Sequence, residues 1–589
     1  MKRRSFILLL LTLIGTVVGV LAGLFNLQIL QGRKYRKLSE RNYIRKRYLY
    51  PPRGDIYDRN GNKLAYDVPQ YVLILDASRL DKDELEKVLA KLKELYNIDL
   101  QKEKLNLERF EPILLKSGLT EKEISIYHRH SLELPGVSVE VVPKRIYAHE
   151  EYCCHVLGYV GYPSKEELEK LKEEVGPNSL IGRYGIEKSL DEVLRGKLGE
   201  EQIVVNALGK VVKVLERKEP KRGNSVVLTI DIRFQKIVED VFRESGHPAG
   251  AVVLLNAQTG EVLALASFPG FNPNKIYEEW QSLVENKLNP LFNRATKGLY
   301  PPASVFKVPM AFALLSEKII TPSTTVFCRG YLELGDRRFS CWLKSGHGAV
   351  NLIRSLSESC DVYYYTVGLK LGPTKINHYA RQFSYGEEIP FELPIRRGFI
   401  PTPAWKRKKF GEPWYDGDTI NMSIGQGFIL SNLMEQTLMM MGIVNNGVIY
   451  RPTLVKAILD DKGNVIWKNE RKVWKVIYGD LEYYAVIKTA LREAVRSGTA
   501  RRAYSGIVDI AGKTGTAEVF FKNKGKIPKS KLPWKFRDHA WFVGFAPYRD
   551  PKFVIGVFVE HGGSGGEAAA PIARRILERI YIERLHKEI

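Results

Sequence analysis

Ser304 and Lys307 stand three residues apart in GLYPPASVFKVPMAFALL, after a Pro-Pro stop and at the head of an apolar run. Residues at i and i+3 share one helical face, so this spacing presents a hydroxyl and an amine together. A serine hydroxyl attacks a carbonyl only when a neighbouring base takes its proton. A lysine is that base once burial or nearby positive charge lowers its pKa from about 10.4. Ser304 is therefore the candidate nucleophile and Lys307 its base. Downstream lie Ser359 and Asp361 in SCD, then Lys513 in KTGTAE. Ser359 can relay a proton between nucleophile, lysine and leaving amine, while Asp361 orients the site or a substrate amide. Lys513 supplies a fixed positive charge for a substrate carboxylate, and Thr514, Gly515 and Thr516 continue a strand edge suited to an extended peptide. The backbone amides of Ser304 and Thr516 would form an oxyanion hole. S-x-x-K alone is a pattern that chance supplies often; the ordered trio points to acyl transfer through a serine.

These residues need a helix behind Ser304 and a strand under Lys513. From Val226 the chain reads SVVLTIDIRFQ and AGAVVLLNAQTGEVLALASFPGFNP, strands joined by a Gln-Thr-Gly turn and followed by long helical patterns. The catalytic domain is thus expected over 223–589, with a last helix over 571–585. Upstream, Pro51, Pro52, Gly54 and Asn60-Gly61 punctuate short extended runs, and Leu85, Val88, Leu89, Leu92 and Leu95 recur at helical spacing over 81–97. A small α+β module over 31–222 follows from that mixture. The stretch from Ser5 to Leu30 carries no charge and is long enough to cross a hydrocarbon core, which takes about 20 residues. A cleaved signal peptide would have a shorter apolar region and a small-x-small site, so an uncleaved anchor over 5–30 behind a tail of 1–4 is favoured. Lys2, Arg3 and Arg4 on one side are matched by Arg33, Lys34, Arg36 and Lys37 on the other, so charge does not set the orientation.

The formal charge of +23 suits anionic surroundings in general. With no zinc-finger spacing, RNA-binding signature or basic helix interleaved with aromatics, nucleic acid is not an expected partner, and a solvated basic surface is the favoured reading. The same reading applies to Lys406–Lys409 and to the lysine-dotted loop from Phe521 to Arg537, whose functional alternative is contact with anionic lipid or with glycan strands. Three of the five cysteines, Cys328, Cys341 and Cys360, lie between the first and third motifs with His347 among them. That set fits a closed tetrahedral zinc site, the alternatives being a disulfide with a leftover thiol or three buried thiols. Cys153 and Cys154 read as buried packing residues.

RGDIYDRNGNKLA, HVLGYVG, GIEKSLDEVLRG, LTIDIRFQ, NRATKGLYPPASVFK, SIGQG, GKTGTAE, HAWFVGFAP and EHGGSGGEAAAPIA, in this order, resemble the blocks of the class B penicillin-binding proteins almost end to end. The resemblance implies an α+β architecture: a single membrane helix with its N-terminus cytoplasmic, a periplasmic pedestal of the dimerisation type, and a transpeptidase domain with a five-stranded antiparallel sheet flanked by helices. It implies a D,D-transpeptidase that is acylated at Ser304 by the D-Ala-D-Ala stem of nascent peptidoglycan, with loss of D-Ala, and resolved by an amine of a neighbouring stem. β-Lactams would trap the same serine. Asp361, where division-type relatives usually carry Asn, resembles the elongation subtype, penicillin-binding protein 2, which acts in rod-shape maintenance. Partners implied are a SEDS-family glycosyltransferase, RodA, an MreC-type scaffold, the lipid-linked precursor and the inner membrane. Some members of the subtype bind zinc through the stretch that here holds Cys328, Cys341, His347 and Cys360. Ala303 departs from the usual P-P-G-S and would be strained if the position needs a positive φ. Competing readings are a non-catalytic activator of the glycosyltransferase, a division-type transpeptidase, and a β-lactamase or penicillin sensor.

Overall fold

The computed structural model describes residues 2–31, 44–77, 80, 82–100, 113–171, 174–205, 211–519, 532–583 and 585–588. Arg33, Lys34, Arg36, Lys37, residues 206–209 of the VNALG block and residues 521–531 of the lysine-dotted loop lie outside them. The chain opens with a helix over Lys2–Phe25, continued by a π-helical turn over Asn26–Leu30. Leu10–Leu30 has a mean hydropathy of 2.1 and buries nothing against the rest of the protein. By length and composition it can cross a membrane.

The pedestal rests on two sheets. A three-stranded antiparallel sheet joins Ile44–Leu49, Gly199–Val205 and Val211–Lys218. In a larger one, Lys63–Leu75 pairs along its length with Val137–Tyr147, and the helix Lys82–Tyr96 lays Leu85, Val88 and Leu92 into a cluster with Leu73 and Leu75. Each such side chain contributes about 1.5–3 kcal/mol of burial, so tertiary packing more than propensity holds the helix. Beneath the sheet is a buried ion network. Arg53 bonds Glu187 and Asp191, both at 2.8 Å, while Arg145 bonds Glu187 at 2.7 Å and Asp67 at 3.0 Å. Burial alone would raise the Glu187 carboxyl, but Arg145 and Arg53 outweigh it and hold its pKa below the ordinary carboxylate value. The RGD and GIE segments of the sequence meet in this way.

The first strand past residue 223, Ser225–Leu228, runs parallel to Ile56–Tyr57 on one side and antiparallel to Val455–Leu459 on the other. Pedestal and catalytic domain therefore share one seven-stranded sheet. The LTIDIRFQ stretch does not continue as a strand: Asp231 accepts from Arg233 N at 3.0 Å and caps a helix over Ile232–Glu244.

The catalytic sheet has the order Val262–Phe268, Gly250–Asn256, Phe553–Val559, His539–Ala546, Ala511–Ala517, with every pair antiparallel. Its strands are apolar on both faces because both are covered. Val252 and Leu254 pack with the helices Ile232–Glu244 and Ala569–Ile582, while Ala251, Val253 and Leu255 pack with Lys307–Ser316 and Leu433–Val444. The last helix starts two residues before the expected 571 and is followed by a 3-10 turn over Leu585–Glu588. Ala511–Ala517, which carries KTGT, is an edge strand.

Candidate active site

The nucleophile turn is built by close approach. Ala303 is buried with φ +53°, and its N–H donates to Gly425 O at 2.8 Å. Residue 303 thus occupies the left-handed region that favours glycine, and alanine is strained there by about 1 kcal/mol. Gly425, in SIGQG, has φ +70°, and a Cβ there would lie 2.3 Å from Ala303 O. Trp541 Nε1 donates to Pro301 O at 3.1 Å, and a Cβ on Gly515 would come within 3.1 Å of Pro302 O. The SIGQG, HAWFVGFAP and KTG segments therefore clamp the turn from three directions. Ser304 sits in a 3-10 turn over Ala303–Phe306 that leads into the helix Lys307–Ser316.

Lys307 is fully buried and uses its three donors on Ser359 O at 2.9 Å, Ser359 Oγ at 3.3 Å and Asp361 Oδ1 at 2.6 Å. Lys307, the expected base for Ser304, thus turns its Nζ toward the second motif in this arrangement. Lys513 is also fully buried; it donates to Ser359 Oγ at 2.9 Å and to Thr514 O at 3.1 Å. Burial and, next, the charge of Lys307 hold its pKa well below that of an ordinary lysine, offset in part by Asp361. Lys513, expected to supply a fixed positive charge for a substrate carboxylate, is thus buried beside Ser359. With both lysine donors on Ser359 Oγ, the lone pairs of that oxygen are filled and its own O–H remains to donate. Ser359 has φ +56°, an uncommon conformation at the centre of this network.

Asp361 opens the helix Asp361–Gln382; its second oxygen accepts from Trp342 N at 2.9 Å. Trp342 follows Cys341, and Cys360 lies between Ser359 and Asp361, so the cysteine cluster adjoins the second motif at two points. The donor atoms of Cys328, Cys341, His347 and Cys360 all lie within 4.8 Å of one another. His347 Nδ1 is 3.6 Å from the sulfurs of both Cys328 and Cys341. All five cysteines are free and buried, so no disulfide joins any of them, and Cys153 and Cys154 pack in the interior. Three buried sulfurs and one imidazole nitrogen around a common point match a tetrahedral zinc donor set.

Gln426 Nε2 donates to Thr516 O at 3.1 Å across the open side of the edge strand. The N–H and C=O of one strand residue leave on the same side, so Thr516 N–H also faces the cleft. Gly565 N donates to Thr516 Oγ1 at 3.2 Å, and a Cβ there would lie 2.4 Å from Gly515 O, which is how the HGGSGG turn comes to lie over the third motif. Thr514 Oγ1 donates to Thr499 Oγ1 at 3.0 Å, and Thr499 N to Ser357 O at 3.0 Å, tying the third motif to the second. Sequence reasoning gave no role to Trp342, Gln426, Thr499, Trp541 or Gly565. Gln426, Trp541 and Gly565 stood inside quoted blocks, but backbone contacts such as that of Trp342 leave no side-chain signal. Tyr363, Tyr364 and Tyr365 are buried behind the second motif.

A seated acyl donor would meet a serine at the head of a helix, a hydroxyl shared by two amines, and an edge strand with an inward N–H. Comparison with known proteins agrees with this arrangement. The family model for the penicillin binding protein transpeptidase domain matches residues 250–578, and that for the penicillin-binding protein dimerisation domain matches residues 48–228. The peptidoglycan D,D-transpeptidase MrdA of Haemophilus influenzae is 34% identical over 97% of this chain and 90% of its own. That of Escherichia coli K12 is 33% identical over 98% and 94%. Among solved structures, penicillin-binding protein PBP2 of Helicobacter pylori, in complex with MreC, superposes with a TM-score of 0.78 at 28% identity, covering 92% of this chain and 99% of that one. A chain of a peptidoglycan synthase complex that coordinates polymerization and crosslinking gives 0.71 at 30% identity, covering 98% of both.

Proposed function

This chain belongs to the penicillin-binding proteins of the peptidoglycan D,D-transpeptidase type, and we propose that it forms cross-links through an acyl-enzyme on Ser304. The carrying observation is the meeting on Ser359 Oγ of Lys513 and of Lys307, itself three residues after Ser304. In this reading Ser304 Oγ attacks the penultimate D-Ala carbonyl as its proton passes to Lys307 Nζ, which acts in this step as the neutral amine. The carbonyl oxygen takes up charge against the N–H groups of Ser304 and Thr516. As the C–N bond breaks, Ser359 hands a proton to the leaving D-Ala nitrogen and is reprotonated from the lysines. An amine of a second stem then attacks the ester by the reverse route and restores Ser304. Thr514, Gly515 and Thr516 hold the stem as an added strand. Asp361 holds Lys307 Nζ at the second motif and, by its resemblance to the elongation subtype, supports a role in rod-shape maintenance.

Cys328, Cys341, His347 and Cys360 would hold a zinc ion in this reading. The ion would supply a structural cross-link at the second motif, and this chain's own residues carry every chemical step. For partners, the similar PBP2–MreC complex supports an MreC-type scaffold and the similar peptidoglycan synthase complex supports a polymerising partner, which by the resemblance would be a SEDS glycosyltransferase of the RodA type. The apolar N-terminal helix supports a single-pass anchor; that the membrane is the inner one, with residues 1–4 cytoplasmic and the bulk periplasmic, is what the resemblance implies. Ser304→Ala should abolish covalent labelling by a fluorescent penicillin while the protein stays folded. Labelling that persists in this variant would sink the acyl-enzyme.

A further inference from the structure

The open edge of the third-motif strand is already occupied by this chain's own side chains. Thr514 O accepts from Lys513 Nζ at 3.1 Å, and Thr516 O accepts from Gln426 Nε2 at 3.1 Å. An uncovered strand edge pairs with any extended chain, and covering it is one way that folds manage the hazard. Here the cover on Thr516 is a single amide, and its loop explains how it gets there. Gly425 and Gly427 flank Gln426 at φ +70° and +75°, Gly425 O accepts from Ala303 N at 2.8 Å, and Gln426 N donates to Asn421 O at 3.0 Å. A Cβ on Gly425 would lie 2.3 Å from Ala303 O, and one on Gly427 would lie 3.3 Å from Asn421 Cβ. The main chain is therefore locked against the nucleophile turn, while the half-buried Gln426 side chain can change rotamer without disturbing it. From a backbone held beside Ser304, that side chain spans to the strand that is to receive the stem.

An acyl donor needs the acceptor that Gln426 holds. This step rests on the transpeptidase reading, in which the penultimate D-Ala carbonyl lies against Thr516 N–H. Two residues facing each other in an antiparallel hydrogen-bonded pair exchange both bonds, so a D-Ala whose C=O takes Thr516 N–H offers its own N–H to Thr516 O. The Gln426 carboxamide puts an amide N–H on that same oxygen. We propose that Gln426 is a substrate-mimicking latch: its amide closes Thr516 O at rest and competes there with the amide N–H of the residue that presents the scissile carbonyl. Gln426 takes no part in making or breaking bonds. It lowers the apparent affinity of amide-bearing donors by the fraction of molecules in which the latch is open. A ligand with no group at that position leaves the latch closed and escapes the penalty. A net amide hydrogen bond of ordinary strength makes the penalty about fivefold.

The test removes the donor and keeps the length. Gln426→Met and Gln426→Ala are compared with the parent, each as the full chain in detergent. Acylation time courses are recorded for benzylpenicillin, which carries an acylamido N–H, and for the same penam nucleus without that group. In both variants the ratio of second-order acylation constants, benzylpenicillin over bare penam, should rise about fivefold. The gain should fall on the dissociation constant of the complex that precedes acylation, not on the acylation step. An unchanged ratio overturns the latch, whether both constants hold or both fall. A lowered ratio overturns it too, since Gln426 would then be a contact that the ligand gains. A rise in Gln426→Ala that is absent from Gln426→Met reports relief of bulk and counts equally against it. Labelling of the parent is scored separately: a parent that benzylpenicillin does not acylate sinks the transpeptidase reading, and an acylated parent whose variants keep its ratio sinks the latch alone.

Discussion

Lys307 and Lys513 donate to the same oxygen, Ser359 Oγ, at 3.3 and 2.9 Å. The two buried amines converge on one hydroxyl, where burial and the charge of Lys307 oppose charge on Lys513, and Asp361 is the carboxylate that offsets this, bonding Lys307 at 2.6 Å. The site therefore stores charge at the expense of stability, a common condition of functional sites.

Replacing Lys513 by methionine should expose that expense. Its pKa is lowered in the folded state, so between the lowered value and the ordinary 10.5 the unfolded chain binds a proton that the folded chain does not. Folding stability contributed by this group therefore rises with pH across that window. Lys513→Met should abolish penicillin acylation, be no less stable than the parent at neutral pH, and lack the parent's relative gain toward pH 10.5. Urea unfolding at a series of pH values checks this; a variant much weaker than the parent at neutral pH contradicts it.

Glu187→Ala should leave Arg53 and Arg145 buried without their shared carboxylate. Breaking one partner of such a network costs about 3–5 kcal/mol. Because the folded pKa of Glu187 is lowered, its contribution is in place above the unfolded value of 4.5 and fades as pH falls below it. The deficit of the variant should shrink accordingly in acid, measured by denaturant unfolding. A loss under about 1 kcal/mol at neutral pH would mean that the network is not a keystone of the pedestal.

At position 303, glycine should be accepted without loss. It relaxes about 1 kcal/mol of left-handed strain and gives up a buried methyl worth about as much. Ala303→Gly should therefore melt close to the parent and acylate at a similar rate. Ala303→Val, β-branched in the same conformation, should lose more than about 2 kcal/mol and most of its labelling. Stopped-flow acylation with a chromogenic β-lactam separates the two.

Protein purified without added metal should carry about one equivalent of zinc, and Cys341→Ser should lose it. Chelation should lower the melting temperature and slow acylation together, because Trp342 N and Cys360 adjoin Asp361. Less than about half an equivalent of zinc, or a disulfide linking two of the three cysteines, would remove the metal from this account.

Much of this was legible in residue spacing. Leu85, Val88 and Leu92 announced the pedestal helix, and Ser304, Lys307, Ser359, Asp361 and Lys513 announced the site. The helix after Asp231 was misread because the β-branched run before it carries a strand-like pattern, and one capping carboxylate is a weak stop signal beside that. The inward turn of Lys513 and the engagement of all three Lys307 donors could not be read either. Both depend on which side chains meet across long stretches of chain, 154 residues for Lys513 and 52 to 54 for Lys307, and on burial that no local pattern records. Trp342 acts through a backbone N–H, a group every residue but proline possesses.

The strand Ser225–Leu228, held between Ile56–Tyr57 and Val455–Leu459, has a mechanical consequence. A pedestal joined to a catalytic domain through continuous main-chain hydrogen bonding is a lever arm rather than a tether. A partner gripping the membrane-proximal end would thus transmit torque to the cleft with little slack, and could gate cross-linking by orientation without touching Ser304.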